Sequence, residues 1–567
     1  MPALFRRLAV CVVVAAFVSS PARGGDRLRE IQEAAIARKG ERLARPYHFG
    51  SQGPGDVFSN HASHTNRLVP VYVFGSKADL GSVTGKNSRY RTADGVRAVY
   101  GRVPENTVNP EAEYADQSDL YRVQKDAVGR GAKYVFTVWF DGLDWETTRA
   151  AAIVKAGRVR YDWGKGTGLA FQDCEAAGTA RFGFVVTSPT HDRNTPDVDR
   201  QAVTIPPASL GGGYDPAIAG PDPWTPGPLA AKAPGYLKGS SADARDKAGV
   251  QAAGRALHAY TDSSSSAGEY ATGVKSYNNG VNVADDGRFV PTLFGELQGR
   301  GWRVGTVTSV PFDHASPAAM YAHNVFRDDY QDIGRDMLGL PSIAQGAGKE
   351  PAHPGLDVVI GTGAGQVAGD ADLKKQGKNA VAGGLYLTDA DLDAIDVRRG
   401  GRYAVVRTSA TTDGNAALLA AAGSAAKGGH RLFGLFGTAD HNHLPYRTAD
   451  GDYRPARGIG GKAEAYTPAD LASAPTLRGM TDAALVVLGS TGGPFALFVE
   501  AGDVDFALHD NNLDNAIGAV FSGEEAVRAI IAWVEAHSNW DESVLIVTSD
   551  HGHYLVIDDP EALVGGR

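Results

Sequence analysis

Apolar residues in this chain gather in short unbroken runs, not in the alternating pattern of a sheet with one face in water. The clearest run is Tyr134-Val135-Phe136-Thr137-Val138-Trp139-Phe140. Others span residues 304–310, 358–360, 403–406, 432–435, 495–499 and 544–548. Runs this short, rich in β-branched and aromatic residues, predict strands buried on both faces. Between them lie helix-prone segments at 147–154, 416–426 and 475–488. The alternation predicts a central, mostly parallel sheet with helices on both faces, an α/β fold of three-layer αβα type. A further strand is expected at 69–74.

Two stretches interrupt the pattern. Residues 190–238 are crowded with Pro and Gly, including Pro206, Pro207, Pro221, Pro223, Pro226, Pro228 and Pro234, and read as a surface insertion. A second loop-rich insertion is expected over 438–470. Residues 25–130 are polar, Gly-rich and weakly periodic, an N-terminal extension of unknown role ahead of one large domain at 131–567. Tyr90-Arg91-Thr92-Ala93-Asp94-Gly95 recurs as Tyr446-Arg447-Thr448-Ala449-Asp450-Gly451, which predicts two similar turns and not a repeat architecture.

Composition narrows the function classes. With 567 residues, 43% hydrophobic and 21% charged, the chain can bury a large core. A net charge of −9 without a Lys/Arg block argues against nucleic acid as the ligand, so an anionic ligand needs local positive charge. Arg6 and Arg7, the apolar run 8–18 and small residues around Ala22 read as a secretory signal over 1–24. That run is too short to span a bilayer, so an exported protein, periplasmic or extracellular and without a stable membrane span, is expected. Cys11 lies in the signal and Cys174 is left alone, so thiolate metal sites and an internal disulfide are excluded.

The candidate chemistry sits where the predicted strands end. Asp141 follows the 134–140 run, and ligands of open α/β sheets collect at the carboxyl ends of strands. Asp262 and Ser263 stand before the small-residue segment Ser264-Ser265-Ser266-Ala267-Gly268, a helix entrance that favours an anion. Glu500 closes the 495–499 run. Asp505 and His509 are four apart, so on a helix they share a face and could hold one metal ion. The last run leads into Asp550-His551-Gly552-His553, polar groups that packing alone does not explain. Beyond the 304–310 strand, Ser316 follows His314-Ala315, ahead of a helix expected to carry His323 and Arg327. His441 and His443, two apart in a loop, could bind metal, although solvated histidines are commoner. Carboxylates, imidazoles and a hydroxyl without thiolate suit Zn²⁺ and Mg²⁺.

In the order and spacing of Asp141-Gly142, Asp262-Ser263 through Thr272-Gly273-Val274-Lys275, His314-Ala315-Ser316-Pro317, Arg327, Met480-Thr481-Asp482, Glu500, Asp505, His509 and Asp550-His551-Gly552-His553, the chain resembles the alkaline phosphatase superfamily. The resemblance implies a secreted phosphomonoesterase in which Ser263 is the nucleophile and forms a phosphoseryl intermediate. It implies one zinc on Asp141, Asp550 and His551, a second on Asp505 and His509, and Mg²⁺ on Asp141, Glu500 and Ser316. Arg327 would grip two phosphate oxygens. His553 would orient Asp505, and His314 with Phe506 would stand as the His/aromatic variant of the metal site. The family's second zinc takes a further histidine about forty residues past the Asp-His pair. Arg567 is the last residue here, so that ligand is expected from a continuation of the chain, from His441 or His443, or from water. The long interval between Asp141 and Ser263 is expected to form part of a rim over the site, and a homodimer is implied. Two other readings are a phosphodiesterase and an inactive binding protein on the same fold. Arg327 argues against the first, because its grip suits the free oxygens of a monoester.

Overall fold

The computed structural model describes residues 27–37, 67–104, 107–191, 194–205, 213–214, 222–225, 261–408, 412–437, 440–458, 462–510, 512–553, 555, 557 and 560–564. The expected signal segment and most of the 190–238 insertion lie outside them.

Ten strands make one sheet: β1 (Val69–Phe74), β2 (Ala115–Asp116), β3 (Tyr134–Phe140), β4 (Arg181–Val186), β5 (Arg303–Pro311), β6 (Val358–Thr362), β7 (Tyr403–Arg407), β8 (Arg431–Leu435), β9 (Phe495–Ala501) and β10 (Ser543–Thr548). Their order is β2-β4-β1-β10-β3-β9-β5-β6-β8-β7. Every pairing from β10 across to β7 is parallel, whereas β1 runs antiparallel to both of its neighbours. The predicted strands are present, and β3, β9 and β10 are buried nearly throughout, as their unbroken apolar runs require. The exception is β7, an edge strand whose Ala404, Val405 and Val406 are only half-buried.

Alternation along β3 divides the core into two layers. Phe136, Val138 and Phe140 face one cluster with the helices α2 (Trp145–Ala156), α5 (Gly414–Gly428), α6 (Leu477–Leu488) and α8 (Leu513–His537). Val135 and Trp139 face the other, with α1 (Gln117–Gly129), α3 (Ser263–Thr272) and the short α4 (Ala315–Ala319). Helices therefore cover both faces of the sheet, in three layers. Among the described residues, no helix is long and apolar enough to cross a membrane.

Two expectations fail. The recurring hexapeptide does not adopt one shape: Thr92 caps a helix over Ala93–Tyr100, whereas Thr448 closes a turn by bonding the side chains of Asp450 and Asp452. The same six residues follow whichever tertiary partners surround them. The second failure concerns α4, which stops at Ala319 and carries neither His323 nor Arg327. Their segment pairs instead with the 279–282 loop, through the Val281–Asn324 bridge and a bond of 2.8 Å from Arg327 N to Asn279 O.

Candidate active site

Register brings the acidic residues together. Trp139 is level with Glu500 on one side and with Thr548 on the other. Asp141 and Asp550 each lie two residues beyond that level, where the period of two returns a side chain to the same face. All three carboxylates are fully buried. Among the described residues, both oxygens of Asp141, Oε1 of Glu500 and Oδ2 of Asp550 have no hydrogen-bond partner, and the Ser316 hydroxyl faces Glu500. Asp550 Oδ1 accepts from Gly142 N at 3.0 Å and from His551 N at 2.9 Å, and Glu500 Oε2 accepts from Thr308 Oγ1. Burial, then the crowd of Asp550, Asp505 and Glu500, pushes Asp141 well above the usual carboxylate range. Burial likewise pushes Glu500 up to about 8, with Thr308 opposing it.

The helix α7 (Asp503–His509) begins just after β9 and turns Asp505 and His509 to one side, as their spacing predicts. His509 Nε2 stands 3.3 Å from Asp505 Oδ2. Burial works against the charge on Asp505, but His509 and His553 carry it well below its usual range. His551 Nε2 faces three carboxylates, Asp550 at 3.2 Å, Asp141 at 3.6 Å and Asp505 at 3.9 Å. His553 Nε2 approaches Asp505 Oδ1 to 2.5 Å, and burial holds its ring down at about 4. Gly142 is required at this crossing. Its φ is +74°, and a Cβ there would meet His553 Cδ2 at 2.6 Å and Asp505 Oδ1 at 3.1 Å.

Ser263 is the first residue of α3, and its Oγ lies 3.4 Å from His551 Nε2. The cap is Asp262, which accepts from Ser265 N at 3.0 Å through Oδ1 and from Ser264 Oγ at 2.8 Å through Oδ2. Arg327 reaches the same entrance: Nη1 is 3.2 Å from Asp262 Oδ2, and Nη2 is 3.2 Å from His314 Nε2. The His314 ring meets Phe506 edge-on at 5.6 Å, and burial with the neighbouring Arg327 lowers its basicity to about 3.

Asp141, Ser263, Arg327, His314, Ser316, Glu500, Asp505, His509, Asp550, His551 and His553 thus meet at one place. His441 and His443 do not join them; both turn to Glu464, His443 Nε2 at 3.1 Å and His441 Nδ1 at 3.5 Å. Sequence reasoning missed Thr308 as partner of Glu500 and Asp262 as partner of Arg327. Thr308 is one of three hydroxyl residues in the 304–310 run, with Thr306 and Ser309, so the run alone did not single it out.

Distances separate two kinds of contact. Donors sharing a tetrahedral ion with bonds of about 2.0–2.1 Å lie about 3.3 Å apart, whereas a charge-assisted hydrogen bond is about 2.7–2.9 Å. His551 to Asp550 and Asp141, and His509 to Asp505, fall near the first spacing, while His553 to Asp505 falls at or below the second. With buried carboxylate oxygens that lack partners among the described residues, the donor set fits divalent cations, and His553 fits a residue that orients Asp505.

Several known proteins are similar to this chain. Alkaline phosphatase 4 of Bacillus subtilis (strain 168) is 26% identical over 292 residues, 51% of this chain and 49% of its own length. The alkaline phosphatase of Escherichia coli (strain K12) is 28% identical over 328 residues, 54% of this chain and 61% of its own. The chain thus spans about half to three fifths of the length of these curated relatives. The crystal structure of Thermus thermophilus alkaline phosphatase aligns with 75% of this chain and 60% of that one, at 21% identity and a TM-score of 0.42. The family described as alkaline phosphatase matches residues 241–562, which hold Ser263, Arg327, Glu500, Asp505, His509, Asp550 and His551. Since that match covers more than half of the sequence, the chain belongs to the alkaline phosphatase family.

Proposed function

We propose that this protein hydrolyses phosphate monoesters, with Ser263 as nucleophile. The observation that carries the reading is the position of Ser263 Oγ, 3.4 Å from His551 Nε2 at the entrance of α3, among carboxylates that fit divalent cations. Free N–H groups at that helix end favour an anion, and Arg327 adds the local positive charge that the chain lacks overall. Asp262 holds the guanidinium through Nη1, so Arg327 presents a fixed fork to the non-bridging oxygens of a phosphoryl group.

Asp141, Asp550 and His551 would hold one Zn²⁺, Asp505 and His509 a second, and Asp141, Glu500 and Ser316 one Mg²⁺. When bound, these cations supply Lewis-acid stabilisation of charge on the attacking and leaving oxygens and make the Ser263 hydroxyl more acidic. Ser263 Oγ then forms a bond to phosphorus as its proton leaves, and the bond from phosphorus to the alcohol oxygen breaks, the alcohol taking up a proton. Water next cleaves the Oγ–phosphorus bond, which releases inorganic phosphate and restores the serine. His553 keeps Asp505 oriented throughout, and Thr308 does the same for Glu500.

The segment 1–24 supports export to the periplasm or beyond, where a phosphomonoesterase would release phosphate. Turnover of p-nitrophenyl phosphate by Ser263→Ala tests the reading. Loss of at least about 10³-fold is expected for removal of a covalent nucleophile, and an undiminished rate would eliminate it.

A further inference from the structure

The pair His441 and His443, which the active site leaves unused, converges on a carboxylate that the sequence did not single out. Glu464 lies 21 residues after His443, and its two oxygens divide between the rings. Oε1 is 3.1 Å from His443 Nε2 and Oε2 is 3.5 Å from His441 Nδ1. We propose that His441, His443 and Glu464 form a separate site for one divalent transition-metal ion of the zinc type, in the loop beside the active site.

Three observations carry the assignment. The first is spacing: one ligand atom from each of the three residues lies within 4.8 Å of the others. The two nitrogens stand 3.1 and 3.5 Å from the two oxygens of one carboxylate, near the roughly 3.3 Å expected between donors on a tetrahedral ion. A second group, of two histidines and two carboxylates, shows the contrast. His353 Nε2 to Asp336 is 2.8 Å, the length of a bond bridged by a proton, and His323 Nδ1 lies equally close to Glu350 as an ion pair. That group is a set of ion pairs.

The second is orientation. His443 Nδ1 donates to the carbonyl of Leu444 at 2.7 Å, which leaves Nε2 as the atom aimed at Glu464. Glu464 Oε2 in turn accepts from the Tyr466 hydroxyl, which itself accepts from Tyr446 N at 3.0 Å. Metal-binding imidazoles and carboxylates are held in this way, each by a further hydrogen bond behind it.

The third is access. His443 is 5% exposed, but the His441 and Glu464 side chains keep 17% and 29% of their surface. A cavity bordered by Gly437, His441, His443, Tyr466 and Asp470 adjoins the rings. With Glu464 bound through one oxygen, the two nitrogens and that oxygen leave a fourth position open on that side for water.

An ion there would fasten the loop to itself across those 21 residues, close to the reaction site. Leu444 N bonds Ser309 O at 2.8 Å, Thr362 Oγ1 bonds Asn442 O, and the His443 ring packs edge-on against Phe506 at 6.0 Å. The alternative is an imidazolium on His443 paired with Glu464, which needs a proton and no metal.

The test counts zinc in the full-length protein after loading with Zn²⁺ and desalting, for wild type, His441→Asn and Glu464→Gln. The difference reads this site whatever the active site holds, so its outcome is independent of the hydrolase reading. Each variant is expected to retain one zinc ion fewer per chain. Zn²⁺ is also expected to slow diethyl pyrocarbonate modification of His441 and His443 in the wild type at least tenfold, read by peptide mass. Equal zinc in wild type and variants overturns the proposal. Should neither variant fold, modification of both histidines at the metal-free rate overturns it on the unaltered chain.

Discussion

His553 Nε2 lies 2.5 Å from Asp505 Oδ1, while His509 Nε2 stands 3.3 Å from the other oxygen of the same carboxylate. On the proposed function one imidazole steadies Asp505, and the other would share a cation with it. His553→Ala should therefore leave the donor atoms of Asp505 and His509 in place yet loosen their aim. The expected cost is about 10–100-fold in zinc affinity, as for other residues behind a metal ligand. Zinc retention against a graded chelator measures it, and retention equal to wild type would contradict the role.

Arg327 rests on Asp262, which also caps α3. Arg327→Ala removes a charged fork from the phosphoryl group, and charge-assisted bonds are each worth about 1.5–3 kcal/mol. Inhibition by inorganic phosphate should weaken by at least about 10–100-fold, the worth of a single such bond. The inhibition constant is the direct readout. Arg327→Lys should recover only part of the loss, because an ammonium ion does not bind two oxygens in the plane of a fork.

Gly142 allows β3 to turn under His553. Gly142→Ala places a methyl group within 2.6 Å of that ring at a φ of +74°. A loss of about 1–3 kcal/mol in stability is expected from strain of this kind. Denaturant midpoints at fixed pH would detect it.

The metal-free chain should lose stability as pH rises above about 6.5. Folding raises the affinity of Asp141 and Glu500 for protons, Glu500 titrating at about 8 in place of the ordinary 4.5. Each such acid keeps its proton in the folded protein after the unfolded chain has lost it, so stability falls as pH rises towards the folded value. His509, held above its ordinary range by Asp505 against the effect of burial, acts in the same direction. His553 and His314, lowered to about 4 and about 3, act oppositely, but only below about pH 6.5, where the unfolded chain would still protonate them. From about pH 6.5 to 8.5 the melting temperature of the metal-free protein should fall, and Zn²⁺ with Mg²⁺ should suppress the fall. A midpoint independent of metal across that window would contradict the cation fit.

Much of this was legible along the chain because burial on both faces leaves a strong mark. β3, β9 and β10 read as unbroken apolar runs, and the polar residues that follow them stand out against that background. Asp505 and His509 were legible through helical spacing alone. What could not be read depends on contacts distant in sequence. β1 was visible as a strand, but its antiparallel place between β10 and β4 is set by pairing across hundreds of residues. The end of α4 was hidden because Ala322 favours a helix locally, whereas the bridge from Asn324 to Val281 draws the chain away. Glu464 looked like any loop carboxylate until Tyr466, His441 and His443 gathered around it.

The central claim is that Ser263 bonds to phosphorus, and trapping that bond tests it most directly. Metal-loaded protein would be mixed with a phosphate monoester, quenched in acid within a turnover and digested for mass spectrometry. The account predicts one added phosphoryl group on the peptide holding Ser263, absent from Ser263→Ala. Sustained turnover with that peptide unmodified, or with the phosphoryl group on another residue, would contradict it.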